Sequence, residues 1–148
     1  MSLNLEDAVV KNLERGYLCS ESVIKGAAEY LGMPWEHLPA IATGLGGGIG
    51  GTAGVCGALT GAVLALGLAT GRNAPDQDFY ACAGLVQELV DRFRERFAST
   101  DCVDVLGLDL RTDEGRIQAM AKGLPNLPCK ECCLFVARYI AENTSPSR

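Results

Sequence analysis

Seven cysteines are the residues of this 148-residue sequence best suited to chemistry. They are Cys19, Cys56, Cys82, Cys102, Cys129, Cys132 and Cys133. The last three crowd into the segment PCKECC at residues 128–133. Cysteine sulfur ligates metals, exchanges disulfides when ionised, or packs as a small hydrophobe. The segment is therefore compatible with a metal-binding site, a redox-active dithiol or buried core residues. Which of these applies depends on the positions of the four upstream cysteines.

The cysteine count and the N-terminus indicate a reducing compartment. An odd number of cysteines does not fit a fully paired disulfide framework. The first ten residues, MSLNLEDAVV, carry two acids and no basic or apolar export signal. We therefore expect a cytoplasmic protein with reduced thiols, in which cysteine clusters more often bind metal or do redox chemistry.

Charge and hydropathy exclude two classes of partner. The net charge of −5 disfavours binding to nucleic acid or to an anionic membrane. Residues 38–71 carry no charge, but glycines and Pro39 interrupt them, and the continuous apolar part at 55–69 is short for a bilayer. We expect no membrane span and a buried central helix instead.

The elements that must position the cysteines are all predicted to be helices. Apolar residues recur with a period near 3.6, and no alternating strand pattern of useful length is present. We predict a single all-α domain over residues 1–148, a bundle of about six to eight helices around a central glycine-rich apolar helix, with residues 143–148 as a frayed tail. The predicted helices begin after Asn4 and cover about 20–31, 35–43, 55–70, 79–97 (capped by Asp76), 102–106, 113–122 and 131–142.

The glycine-rich segment GLGGGIGGTAG at residues 44–54 has a structural interpretation. Its letters match G-x-G-x-x-G, but no strand precedes it and the next acid is Asp76, so a dinucleotide site is disfavoured. Gly50 and Gly54 are four residues apart, as are Gly57 and Gly61. Such spacing lets a second helix approach closely.

Four cysteines fall at predicted helix N-termini. Cys19 precedes the predicted Ser20 cap, Cys102 follows Asp101, and Cys56 and Cys132 lie in first turns. Unpaired N–H groups and the helix dipole there favour thiolate over thiol. Cys82, midway along an amphipathic helix, is interpreted as a core residue. Cys129 and Cys133 stay open between a functional thiol and a core residue.

The cysteine-bearing segments resemble a known family. CSESV at 19–23, GVCGALTGAVLALGL at 54–68, FRERFASTDCVDVLG at 93–107 and ECCLFVARYIAE at 131–142 are similar to the redox-active C_GCAxxG_C_C proteins. The resemblance covers about residues 17–142. It aligns Cys19, Cys56, Cys102 and Cys132 with the family cysteines and Gly57, Ala58 and Gly61 with the Cys-Gly-Ala-x-x-Gly block.

The resemblance implies redox chemistry at a four-cysteine site. Some family members are selenoproteins, and a related domain occurs in a dimeric multihaem cytochrome with an iron–sulfur cluster. It thus implies a metal site at Cys19, Cys56, Cys102 and Cys132, with a [2Fe–2S] cluster or zinc as cofactor and Gly57, Ala58 and Gly61 beside it.

Two other hypotheses stay open beside the metal centre. One is a catalytic C-x-x-C dithiol of Cys129 and Cys132, with Cys56 or Cys19 as partner. The other is a helical binding or assembly module with structural cysteines or structural zinc. The sequence does not distinguish an oxidoreductase from an electron carrier. It does not identify the electron-transfer or thiol partner. Its glycine-rich apolar face is compatible with a homodimer.

Overall fold

The apolar helix predicted at the centre of the sequence is the one around which the other long helices pack. The computed structural model describes residues 3–146. Their α-helices are α1 Leu5–Glu14, α2 Cys19–Leu31, α3 Gly46–Ile49, α4 Gly57–Thr70, α5 Tyr80–Phe97, α6 Cys102–Leu106, α7 Asp113–Lys122 and α8 Cys129–Asn143, with 3-10 helices at Ala40–Leu45 and Leu124–Asn126. Within this part of the chain there is no β-strand, only an isolated bridge between Val55 and Asp101. The all-α bundle is confirmed.

Side-chain caps explain where several helices begin. The Asn4 side chain accepts a hydrogen bond from the Asp7 N–H at 3.2 Å at the start of α1. Thr112 does the same for α7, accepting from the Gly115 N–H at 3.0 Å. The predicted Asp76 cap is wrong. Asp78 accepts from the backbone N–H groups at the start of α5 instead, because it lies within two and three residues of them.

The core is built from α1, α2, α4 and α8, with α5 packed against α4 and α8. The buried face of α4 is Ala58, Leu59, Ala62, Ala65 and Leu66. Apolar side chains of the other helices complete the core, and the Tyr139 hydroxyl ties α8 to α5 by donating to the Leu85 carbonyl at 2.7 Å. None of the helices in residues 3–146 is both long and apolar enough to cross a membrane.

Gly57 and Gly61 bring the start of α2 against α4. A Cβ at Gly61 would lie 2.8 Å from the Ser20 carbonyl oxygen, and one at Gly57 would lie 2.5 Å from the Cys19 sulfur. The predicted close approach at these two glycines is confirmed. Gly50 lies outside any regular helix, with φ +64°, so its spacing to Gly54 has no such role.

The structure differs from the sequence prediction by one missing helix and at both ends of α8, and α4 begins at Gly57, two residues after its predicted start. Residues 35–43 do not form a helix: turns lead into the Ala40–Leu45 3-10 helix, since Pro39 supplies no backbone N–H. α8 begins at Cys129, two residues before its predicted start. It also includes Asn143, whose side chain donates to the Tyr139 carbonyl at 2.9 Å; residues 147 and 148 of the predicted frayed tail lie outside the described residues.

Candidate functional site

Four helices of the bundle start at or directly after a cysteine. Cys19, Cys102 and Cys129 are the first residues of α2, α6 and α8, and Cys56 is the residue before α4. In α2 the preceding Leu18 is the N-cap residue, so Cys19 lies inside the helix rather than before its cap. Cys129, and not Cys132, occupies the first position of α8. Cys132 and Cys133 follow one turn later.

A short backbone pairing sets Cys56 beside Cys102. Val55 and Asp101 form the isolated antiparallel bridge. The Cys56 N–H donates to the Thr100 carbonyl at 2.7 Å, and the Cys102 N–H donates to the Gly54 carbonyl at 2.6 Å. The residues that lead into α4 and α6 are therefore hydrogen-bonded to each other, although 46 positions separate the two cysteines in the sequence.

The glycine-rich segment closes over Cys102. Gly48 has φ +68°, a conformation that favours glycine, and a Cβ there would lie 2.6 Å from the Cys102 Cβ and 2.6 Å from Gly54 backbone atoms. The segment therefore lets backbone pass against a cysteine. This contact is consistent with the structural interpretation of its glycines.

α8 completes the cluster from the other side. Cys132 lies close enough to Cys56 for the two thiols to shift each other's pKa. The Cys133 thiol donates to the Cys19 carbonyl, with 4.0 Å between the sulfur and the oxygen. Cys19, Cys56, Cys102, Cys129, Cys132 and Cys133 thus form one region, which we call the cysteine cluster. Cys82 lies in the first turn of α5, so its predicted place midway along the helix is wrong, and it lines a separate groove between α4 and α5.

The thiol pKa values within the cysteine cluster diverge. Hydrogen bonding from Cys132 is the main reason that the pKa of Cys56 falls to about 7, and backbone N–H groups of Leu59 and Ala58 contribute. Burial raises the pKa of Cys19 to about 12 and that of Cys102 to about 11. Cys56 is therefore the thiol of this group best suited to be an anion near neutral pH.

The other members of the cluster are held as thiols. The hydrogen bond to Cys56 and burial together raise the pKa of Cys132, and burial raises the pKa of Cys129 and of Cys133. The expectation that all four helix N-termini would favour thiolate is corrected. Loss of water around these sulfurs outweighs the backbone N–H groups, except at Cys56, which has a thiol donor.

Sulfur, rather than nitrogen or oxygen, marks this region as a site. In residues 3–146 every buried side-chain nitrogen and oxygen has a hydrogen-bond partner. The Ser20 hydroxyl, next to Cys19, donates to the Ala42 carbonyl at 2.8 Å. The lone His37 lies at the surface beside Glu36 and Trp35. We find no second group of side chains in the cluster suited to acid–base catalysis.

A ligand set for a metal ion is not preassembled. Among the described residues no three His, Cys, Asp or Glu side chains are arranged to hold a metal ion. The predicted ligands Cys19, Cys56, Cys102 and Cys132 all belong to the cysteine cluster. Of the predicted cofactor-binding residues, Gly57 faces the Cys19 sulfur, Gly61 faces Ser20 backbone and Ala58 is fully buried. Their ligand roles stay predictions.

An apolar cavity of about 550 Å³ adjoins the cluster. Cys19, Cys102 and Cys129 form part of its wall. The cavity lies between the starts of α2 and α8, the glycine-rich segment, α6 and α7. Three of the six clustered sulfurs therefore border a space large enough for a small molecule. No local sequence pattern indicates this cavity, because its walls come from five separate segments.

Comparison with protein-family models identifies the chain. Residues 17–143 match the family described as "Putative redox-active protein (C_GCAxxG_C_C)". The chain belongs to the C_GCAxxG_C_C family. The match spans all six residues of the cysteine cluster as well as Gly57, Ala58 and Gly61. Searches of curated proteins and of solved structures found no match to this chain.

Proposed function

We propose that this member of the C_GCAxxG_C_C family is a thiol–disulfide redox protein whose reactive pair is Cys56 and Cys132. The observation that supports this is the low pKa of Cys56, about 7, whose largest cause is the neighbouring Cys132 thiol. A nucleophile in disulfide exchange must be a thiolate, and the best attacking thiol has a pKa near ambient pH. Cys56 meets that requirement, and Cys132 is placed to act on it.

The exchange proceeds in two steps. The Cys56 thiolate attacks one sulfur of a substrate disulfide, the substrate S–S bond breaks, and the second substrate sulfur leaves as a thiolate. The departed substrate thiolate takes the proton of Cys132, and the Cys132 thiolate attacks the Cys56 sulfur of this mixed disulfide and releases the first substrate sulfur as a thiolate, which is protonated by water. The substrate gains two electrons and becomes a dithiol, and the protein is left with a Cys56–Cys132 disulfide.

Access to the pair passes through Cys129. Cys56 is 5% exposed and Cys132 is fully buried, whereas Cys129 is half-buried and borders the cavity. Cys129 and Cys132 are three apart on α8 and therefore lie on neighbouring turns of one face. After the substrate is reduced, a Cys129 thiolate can attack the Cys132 sulfur of the Cys56–Cys132 disulfide, which forms a Cys129–Cys132 disulfide and releases the Cys56 thiolate.

Titration with an oxidant and mapping of the disulfides tests this proposal. The protein is purified without oxygen, its thiols are counted, and diamide is added stepwise before tryptic mapping by mass spectrometry. The first two thiols to disappear should be Cys56 and Cys132, as one disulfide. In Cys56→Ser and Cys132→Ser that loss should vanish, while the control Cys82→Ser should behave as wild type. Seven thiols that survive mild oxidation, or a first disulfide without Cys56, would refute the assignment.

A cysteine-ligated metal is the second candidate. The observation that favours it is the concentration of six cysteines in one region, with four of them at helix starts. A [2Fe–2S] cluster or zinc there would require sulfurs to rotate from their present positions, because no ligand set is preassembled. Iron, sulfide and zinc are measured on the same oxygen-free sample. Stoichiometric metal whose removal frees four thiols would favour this candidate over the dithiol.

A further inference from the structure

The cavity beside the cysteine cluster is an unfilled space among apolar side chains. Leu106 and Leu127 of its wall are buried in a small second hydrophobic cluster, which Leu110 and Leu124 join from its edge. Met120 of its wall is 81% exposed, so the space opens to solvent on the side of α7. A space of about 550 Å³ lies within the range of small-molecule sites.

Two backbone carbonyls of the wall already have partners. The Gly46 carbonyl accepts from the Gly51 N–H, and the Gly47 carbonyl accepts from the Ala53 N–H, each at 3.3 Å. Water needs two or more polar partners to be held in such a space. A ligand rich in hydrogen-bonding groups would likewise leave them unsatisfied.

The single charged side chain of the wall is also engaged. Arg116 forms an ion pair with Asp113 and donates to the Leu110 carbonyl at 2.8 Å. Its charge is therefore matched before any ligand arrives. An anionic ligand would lose its hydration and gain no free cation in return.

We infer that this cavity is the binding site of an uncharged, apolar small molecule, held against the thiols of Cys19, Cys102 and Cys129. The site takes molecules of the size of a two-ring aromatic compound and discriminates against the same ring system bearing a carboxylate. The inference rests on the geometry and charge of the cavity. It deepens the proposed function by assigning the kind of molecule that meets the thiols, but it does not require the Cys56–Cys132 disulfide.

Dye displacement tests the inference on the whole reduced chain. Nile red, an uncharged dye, reports occupancy by its fluorescence, and 2-methylnaphthalene and 2-naphthoate compete for the site. The neutral compound should displace the dye at a concentration at least about tenfold lower than the anion. Absence of dye binding, or equal displacement by the two compounds, would overturn the inference.

Two matched variants locate the site. Ala119→Trp places an indole in the cavity from α7, and the control Ala83→Trp places one on α5, in the groove that Cys82 lines. Both alanines are half-buried helical residues. Dye affinity should fall about tenfold or more in the first variant and stay unchanged in the second, with circular dichroism confirming that both fold. Equal affinity in Ala119→Trp, or equal loss in both, would place the dye elsewhere and refute the site.

A thiol-protection measurement keeps the test independent of mutation. Bound 2-methylnaphthalene should slow the alkylation of Cys129 by iodoacetamide and leave that of Cys82 unchanged, since both thiols are half-buried and only Cys129 borders the cavity. Mass spectrometry reads the two sites in one sample. Unaltered alkylation of Cys129 with dye displacement intact would contradict contact with the thiols. A failure of the diamide experiment would leave both readouts unaffected, so the two proposals fail separately.

Discussion

At the scale of single residues, a hydrogen-bond partner decides which cysteine is acidic. Cys19 and Cys56 are almost equally buried, at 7% and 5% exposure, and both lie at a helix N-terminus. The pKa of Cys19 nevertheless rises to about 12, while that of Cys56 falls to about 7. The difference is the Cys132 thiol, which donates to the Cys56 sulfur and thereby favours its charged form.

Removing that donor should raise the pKa of Cys56. In Cys132→Ala we expect the thiolate absorbance at 240 nm that titrates near pH 7 to move upward by about one to two pH units, toward ordinary thiol values. The measurement is an ultraviolet pH titration of the reduced protein, with Cys82→Ala as the control that keeps the low transition. A transition near pH 7 that persists in Cys132→Ala would mean that backbone groups alone set the acidity.

The sequence predicted the positions of the cysteines along the helices better than the pKa values of their thiols. Cysteines at helix starts could be identified from Asp101, Gly57 and the apolar periods that follow them. The Cys56–Cys132 contact could not be predicted, because it depends on how α4 and α8 pack, and 76 positions separate the two residues. The choice of Cys129 or Cys132 as the first residue of α8 depended on where the helix after Pro128 begins, which local patterns leave uncertain by a turn.

At the scale of elements, two glycines of α4 set the distance between the helices that carry Cys19 and Cys56. The third glycine of the same helix, Gly67, has no atom within 4 Å of the position that a Cβ would take. Glycine is therefore needed at Gly57 and Gly61 for packing, and at Gly67 it only weakens the helix.

Alanine substitutions along α4 should change stability in opposite directions. Gly61→Ala places a Cβ 2.8 Å from the Ser20 carbonyl oxygen, a rigid backbone atom, and should lower the free energy of unfolding by about 1–3 kcal/mol. Gly67→Ala is its matched control and should raise it by about 0.5–1 kcal/mol. Urea denaturation measures both. If Gly61→Ala were as stable as Gly67→Ala, the close approach of α2 would not depend on glycine.

Helix boundaries show why element prediction succeeds in some places. α6 and α7 run over the predicted residues because Gly107 and the pair Thr112 and Gly123 supply local stop and start signals. The predicted helix at 35–43 is absent because Pro39 interrupts it and the segment follows the outside of α2 and α4 instead. Local sequence signals were sufficient to predict the ends of α6 and α7, whereas tertiary contacts determine the conformation of residues 35–43.

At the scale of the whole molecule, the buried thiols couple folding to alkaline pH. Cys19 and Cys102 have pKa values of about 12 and 11 in the folded chain, against an ordinary value of 9.0 that applies once it unfolds. A group whose pKa is raised on folding stabilises the protein fully below its unfolded pKa and loses that contribution as the pH rises toward its folded pKa. The contribution of these thiols to the free energy of unfolding is therefore lost between about pH 9 and pH 11 for Cys102, and between about pH 9 and pH 12 for Cys19.

The free energy of unfolding should accordingly decline above about pH 9. Each such thiol lowers the free energy of unfolding by about 1.4 kcal/mol for each pH unit between its unfolded and its folded pKa. Urea denaturation of the reduced protein at several pH values measures the decline, and the double variant Cys19→Ala/Cys102→Ala should show a shallower one. Equal slopes in the two proteins would mean that these thiols do not ionise on unfolding.

The pairing of Val55 with Asp101 links Cys56 mechanically to the wall of the apolar cavity. Its two flanking hydrogen bonds join the residues that lead into α4 to those that lead into α6. A movement of Cys56 along the axis of α4 would therefore also move the backbone segment that carries Cys102. Formation of the proposed Cys56–Cys132 disulfide would pull on that same backbone segment. The wall of the cavity would then change shape with the oxidation state, and a molecule lodged there would sense whether the protein holds its two electrons.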